Sequence, residues 1–276
     1  DWYAAHGRAA LPWRSARNPY YTLVSEFMLQ QTQVERVVPK FTAFVERFPD
    51  LAALARASTA DVLRAWKGLG YNTRAVRLKR VAETVIERFG GTMPSDSAAL
   101  RGLPGIGPYT ASAIRAFAFD LDDLPVDTNV RRIAERFGAE LSPPRGKAHD
   151  WASALMDLGA TVCTARTPTC LVCPLHVECK AMSEPRSGRA INRKHKRGRN
   201  AASELPFKSS ARYARGRVID RLRELAPGER ISLLDLHRDL SAVLPGRSAE
   251  DLGSFVAALE RDGLIARDGD AVALSD

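Results

Sequence analysis

All four cysteines of the 276-residue chain, Cys163, Cys170, Cys173 and Cys179, fall within seventeen residues, spaced C-x6-C-x2-C-x5-C. So dense a run constrains the local chain more than any other feature, because a loop carrying four thiols folds around whatever those thiols bind. No apolar stretch approaches the roughly 18 residues needed to span a bilayer, and no charged-then-apolar export signal opens the sequence at Asp1. A cytosolic protein is expected, and there disulfides are disfavoured. Four thiolates suit either one tetrahedral zinc or a [4Fe-4S] cluster. Zinc ribbons favour two close cysteine pairs; a single close pair between longer loops suits a cluster whose four irons each take one ligand.

Upstream of that loop, residues 1–182 read as almost continuous helix. Leu23, Val24, Phe27 and Met28 crowd one side of the first strong segment, and Phe41, Phe44, Val45 and Phe48 continue at three- and four-residue spacing until Pro49. Ser58 or Thr59 can cap a helix carrying Val62, Leu63 and Trp66. Leu78, Val81, Val85 and Phe89 form another face, stopped by Gly90-Gly91. No segment here alternates with a two-residue period, so this region is expected to be all-α. Residues 183–211 read as a linker. In 212–276, Val218 to Leu225, 233–244 and 249–262 suggest three helices, and 263–274 a hairpin turning at Asp268-Gly269-Asp270. That is a winged-helix-like domain. Such a unit lays its third helix in a DNA groove or serves to dock a protein, and both uses stay open.

Charge points the same way. Residues 186–217 carry eleven Lys or Arg against a single acid, Glu204, whereas the rest of the chain is close to neutral. A basic block of this kind binds polyanions by releasing condensed counterions, or else acts as a solvated linker.

Three further segments carry chemistry. Leu103-Pro104-Gly105-Ile106-Gly107-Pro108-Tyr109 lies between two helical stretches. Two glycines around an apolar anchor, with Pro108 opening a helix, leave backbone N–H groups free to meet a DNA phosphate. Asp127 precedes the helix 131–137, where it is placed as an N-cap. Glu26 sits among Leu23, Val24, Phe27 and Met28, where a desolvated carboxyl would hold its proton near neutral pH and suit a general acid.

The segments LVSEFMLQQTQV (23–34), WKGLGYNTRA (66–75), LPGIGPYTA (103–111), VDTNVRR (126–132) and the cysteine loop together resemble the helix-hairpin-helix DNA glycosylases with an iron–sulfur cluster, and most of all the MutY-type adenine glycosylases. The likeness covers residues 11–181. It implies an enzyme that flips a base out of double-stranded DNA and cleaves its N-glycosidic bond. By that resemblance Glu26 protonates the flipped purine and Asp127 stabilises or captures the oxocarbenium-like sugar. Tyr109 hydrogen-bonds within the site, and Asn129 orients the nucleophile. Gln30 and Gln31 resemble the wedge that fills the vacated base stack, and Gly105 and Gly107 hold the DNA backbone. Cys163, Cys170, Cys173 and Cys179 take a [4Fe-4S] cluster that steadies the adjoining loop. Related endonuclease III enzymes carry a lysine where Tyr109 stands, and residues 80–146 contain no lysine, so a monofunctional glycosylase is expected.

Four departures bear on base choice. Asn72 follows Tyr71 where the family commonly has a second tyrosine beside the base opposite the target. Ser153 stands where a Glu or Gln usually contacts adenine, and Thr128 replaces a glycine between Asp127 and Asn129. The C-terminal region does not resemble the Nudix-like domain that checks for 8-oxoguanine. The expected substrate is a mispaired or damaged base in duplex DNA, most of all adenine opposite 8-oxoguanine or G. Thymine or uracil opposite G is the alternative, and an iron–sulfur transcription regulator a more distant one. The expected enzyme is a monomer, with a possible repair partner at its C-terminal domain.

Overall fold

The computed structural model describes residues 2–183 and 207–276. Most of the linker assigned to 183–211, residues 184–206, and most of the basic block therefore lie outside the described residues, while 207–211 forms a short 3-10 turn and the cap and first residue of the next helix. The helices are α1 (Trp2–His6), α2 (Pro19–Leu29), α3 (Val34–Arg47), α4 (Leu51–Arg56), α5 (Thr59–Ala65), α6 (Thr73–Phe89), α7 (Ser97–Arg101), α8 (Pro108–Phe119), α9 (Thr128–Phe137), α10 (Ala148–Thr161) and α11 (Lys180–Ser183). Then follow α12 (Ala211–Leu222), β1 (Ile231–Ser232), α13 (Leu233–Leu240), α14 (Ala249–Arg261), β2 (Ile265–Asp268) and β3 (Ala271–Leu274). Among the described residues before 207 no strand occurs, as the periodicity requires.

Contacts divide the chain into two compact units, 1–26 with 92–197 and 27–91 with 198–276. The first is built on α8, α9 and α10. Val130 and Ile133 of α9 close on Leu155 and Leu158 of α10, while Ala116, Ala148 and Ala152 let α8 and α10 approach closely. Gly159 permits the same on the other side of α10: a Cβ there would stand 2.6 Å from that of Asn129. Asn18 starts α2 by accepting the N–H groups of Tyr20 and Tyr21, with Pro19 at the first helical position.

In the second unit Trp66 is fully buried and meets Phe44 edge-on at 5.9 Å. Ser58 caps α5 by accepting the N–H of Asp61, a contact worth about 1 kcal/mol. The C-terminal residues form three helices and an antiparallel sheet in the order β1-β3-β2, with Ile231 opposite Val272 and Ile265 opposite Leu274. Strand β1 was not legible in the sequence, since two residues give no alternation. The same unit joins this domain to α5: Arg223 donates to the Leu63 carbonyl at 2.9 Å, and Arg64 to that of Leu225 at 3.3 Å.

Candidate active site

Glu26 is 9% exposed on α2, and its carboxyl accepts a hydrogen bond from the Tyr109 hydroxyl. Burial, reinforced by the negative charge of Asp127, raises its pKa from 4.5 to about 7, against the opposing pull of Tyr109 and Arg14. The sequence expectation of a desolvated, proton-holding carboxyl therefore describes this side chain. Tyr109 stands at the start of α8, and although over a third of its surface is exposed, its hydroxyl lies in the desolvated corner. Burial and the charges of Glu26 and Asp127 push its pKa up, so it stays a donor.

Asp127 caps α9. One carboxylate oxygen accepts the N–H groups of Asn129 (2.8 Å) and Val130 (2.7 Å), and the other accepts the Asn129 side-chain amide at 3.0 Å. The N-cap role read from the sequence is present, and three donors fix the carboxylate in place. Asn129 is fixed in turn: its side-chain oxygen accepts from Arg132 at 2.8 Å. Arg132 also donates to the carbonyls of Gly159 (2.7 Å) and Cys163 (2.8 Å). A chain of three side chains and one backbone carbonyl thus runs from the candidate carboxylate to the start of the cysteine loop.

Asp157 is a second buried carboxylate, on α10. Arg14 grips it with both terminal nitrogens, at 2.8 and 3.2 Å, and Arg8 donates its backbone N–H and Nε at 2.8 Å each. Burial alone would raise its pKa; the hydrogen bonds and charge of Arg14, with those of Arg8, outweigh it and hold the group ionised. Arg14 thus serves two carboxyls, anchored on Asp157 while its field reaches Glu26. Sequence reading missed both residues. Asp157 carried the signal that exposed Glu26, an acid beside Leu155 and Leu158 on a helix.

In the hairpin between α7 and α8, Gly105 has φ +80°, and neither its N–H nor that of Gly107 has a partner among the described residues. A Cβ on Gly107 would meet nothing within 4 Å, so the backbone is open to approach there. Gln30 and Gln31 are exposed past the end of α2, with Gln31 at φ +57°. Arg74 holds that turn. Its buried guanidinium donates to the carbonyls of Phe27 (2.7 Å), Met28 (2.9 Å) and Gln30 (2.6 Å), and to those of Leu69 and Gly70. Burial lowers its pKa to about 10, which leaves it charged at neutral pH. Tyr71, at φ +46°, is exposed, and Asn72 half-buried beside it.

The four cysteines are each half-buried in one loop. Burial raises the Cys173 thiol, and its neighbours Cys163, Cys179 and Cys170 raise it further. Arg136 donates to the Cys163 sulfur at 3.3 Å. Among the described residues no group of three or more His, Cys, Asp or Glu closes on a single metal ion. Four thiols in one loop are a donor set that fits either one tetrahedral metal or a polynuclear centre taking one ligand per iron. Ser153 on α10 is wholly buried, and its hydroxyl has no partner among the described residues.

Residues 24–149 match the family model of the HhH-GPD superfamily base excision DNA repair proteins. The chain is 40% identical over 241 residues to an adenine DNA glycosylase of Mycolicibacterium smegmatis, covering 81% of this chain and 78% of that one. It is 46% identical over 193 residues to an adenine DNA glycosylase of Mycobacterium tuberculosis, where the match spans 63% of each chain and so less than two thirds of that relative. Among solved structures, a thermostable thymine-DNA glycosylase superposes with a TM-score of 0.59 at 29% identity, over 63% of this chain and 88% of that one. The helical region has the helix-hairpin-helix glycosylase fold that the motifs implied.

Proposed function

Since the chain belongs to the HhH-GPD superfamily of base excision DNA repair proteins, and within it to the family of the adenine DNA glycosylases, we propose that it excises adenine mispaired with 8-oxoguanine or G. The observation that carries this reading is the pairing of Glu26, raised to about 7, with Asp127, held by three donors. Two carboxyls with such different environments divide acid and charge-stabilising duties. Protonated Glu26 delivers its proton to a ring nitrogen of the flipped purine, which leaves as the neutral base. The C1′–N bond breaks, the sugar carries the positive charge, and Asp127 stabilises or captures it until water adds. Tyr109 keeps the Glu26 carboxyl oriented, and Asn129 does the same for Asp127.

The enzyme is a monofunctional glycosylase: Tyr109 stands where a Schiff-base lysine would be needed, and residues 80–146 offer none. Cys163, Cys170, Cys173 and Cys179 would hold a [4Fe-4S] cluster, bracing the loop to which Arg132 and Arg136 reach. Gln30 and Gln31 would enter the base stack, and Gly105 and Gly107 would take a phosphate through their N–H groups. It would act as a monomer in the cytoplasm, at the nucleoid. Among the described residues no helix is long and apolar enough to cross a membrane.

A second reading, thymine or uracil opposite G, is favoured by one observation: Ser153 offers the base pocket a small hydroxyl in place of a longer side chain. Single-turnover excision on duplexes pairing A with 8-oxoguanine, G and C, and T or U with G, separates the two. Alkali-revealed cleavage of A opposite 8-oxoguanine supports the adenine reading. Cleavage confined to T or U opposite G replaces it.

A further inference from the structure

Asp157 takes no part in the chemistry proposed above, yet its two oxygens take five contacts from two arginines. Arg8 supplies its backbone N–H, Nε and Nη2 at 2.8, 2.8 and 2.7 Å, and Arg14 its Nη1 and Nη2 at 2.8 and 3.2 Å. The Arg14 side chain is 8% exposed and that of Asp157 1%. Arg14 Nη1 also donates to the Arg8 carbonyl at 3.4 Å, so both its terminal nitrogens are committed to this corner. A two-point grip of a guanidinium on a carboxylate fixes geometry as well as charge.

The cations of this region are unevenly divided among its carboxyls. Both arginines pair with Asp157. Asp127 has neutral donors, from Asn129 and Val130, and Glu26 has the Tyr109 hydroxyl. Neither makes an ion pair among the described residues, although Arg14 is the cation whose charge acts on Glu26. The groups that face Glu26 are thus Asp127 of α9, Tyr109 of α8 and Arg14 of the segment before α2. Those that face Asp157 are Arg14 and Arg8. With Asp157 charged, two cations stand against three carboxyls, and a desolvated site near charge balance keeps one proton. Without that charge, the same two cations would balance Glu26 and Asp127 both ionised, and the acid would have no proton to give.

We propose that Asp157 is a positioning residue for base excision: by holding both terminal nitrogens of Arg14, it withholds that cation from Glu26, the proton donor. Arg8 secures the arrangement from the other side, so the segment carrying both arginines is pinned to α10 and Arg14 cannot swing to a second carboxyl. The inference rests on the reading of Glu26 as the general acid.

The test follows single-turnover excision of A opposite 8-oxoguanine across a pH series in the full chain. Alongside it runs the carboxyl NMR resonance of Glu26, identified by its loss in Glu26→Gln. Asp157→Asn frees Arg14 and should lower both midpoints by about one pH unit. Excision then falls about tenfold near pH 8 and stays within about twofold near pH 5. The double variant Arg14→Gln with Asp157→Asn removes the freed cation as well, and should bring both midpoints back to within about half a unit of the parent's. Asp157→Glu, which keeps the charge, should hold the parent's midpoints even where it lowers the melting temperature. Should Asp157→Asn fail to fold, Arg14→Gln alone decides: Arg8 still holds Asp157, and both midpoints should rise. An unshifted Asp157→Asn, a double variant shifted as far as the single one, or an Arg14→Gln midpoint that stays or falls overturns the proposal. If Glu26→Gln excises like the parent, the reading of Glu26 as the acid falls, while its carboxyl resonance still decides whether Asp157 withholds Arg14.

Discussion

The two units bury charge in opposite ways. In the first, the anion Asp157 is buried against two arginines, and the nearby Glu26 is buried with another carboxyl and a tyrosine hydroxyl. In the second, the cation Arg74 is buried with no carboxylate contact among the described residues, and backbone carbonyls with one threonine hydroxyl take its charge. Neutral dipoles let Arg74 remain charged across all ordinary pH, which suits a strut. Burial first, then a like charge beside Glu26, with a cation already committed to Asp157, leave its proton balanced near neutrality, which suits an acid.

Replacing the acid breaks this contrast most severely. Glu26→Gln should slow base release by about 10²–10⁴-fold, the usual reach of a positioned general acid, while duplex binding persists. Wild-type turnover by the variant would remove Glu26 from the mechanism. The same substitution should stabilise the fold at neutral pH. With a folded pKa of about 7 above an unfolded 4.5, Glu26 costs nothing below pH 4.5, and its cost grows as pH rises toward 7. The gain by Glu26→Gln should therefore be absent at pH 4 and reach at most about 3 kcal/mol by pH 8, read from melting curves. Wild-type excision should decline over the same rise through about pH 7, as the acid loses its proton.

Asp157→Asn attacks the other half of the first unit. It leaves Arg14 buried without its counter-charge, at a cost of about 3–5 kcal/mol in chemical denaturation. In the variant that remains folded, the freed field of Arg14 should pull the Glu26 pKa down and move the decline in excision to lower pH. An unshifted pH profile would confine Asp157 to a structural role. Arg74→Lys tests the second unit. A point-charge ammonium cannot serve acceptors spread over 27–30 and 69–70, so a loss of about 2–3 kcal/mol is expected. DNA affinity should fall with it, since the turn presenting Gln30 and Gln31 loosens, and a fall in excision rate at saturating enzyme should be small.

Much of this was legible in the chain, and what was not has a common cause. Helix spacing and caps exposed α3, α5 and α6, and the position of Glu26 among apolar neighbours exposed its raised pKa. Asp127 was readable as a cap and, through the motif around it, as a carboxylate of the site. The residues that escaped, Arg14, Asp157, Arg74 and Arg132, all work by contacts across long sequence separation, such as the 143 residues between Arg14 and Asp157. Local periodicity carries no record of such pairs. Strand β1 escaped for a related reason: its two residues are a strand only because β3 lies alongside. The bond between Asn72 and Arg223 joined two departures that looked independent when each was read in its own segment.

Ser153 sharpens the comparison at the smallest scale. Its hydroxyl is the one group on α10 that is both wholly buried and without a partner among the described residues, apart from the indole N–H of Trp151 two residues earlier. An unsatisfied hydroxyl destabilises a packed interior by about 1–2 kcal/mol, so Ser153→Ala should raise the melting temperature by several degrees if nothing in the free enzyme satisfies it. A hydroxyl kept at that cost is explained if the flipped base supplies the partner. Excision by Ser153→Ala should then weaken several-fold even as the fold gains stability. Stability and excision rising together, or neither changing, would place Ser153 outside the base pocket and return the choice between adenine and a pyrimidine to other residues.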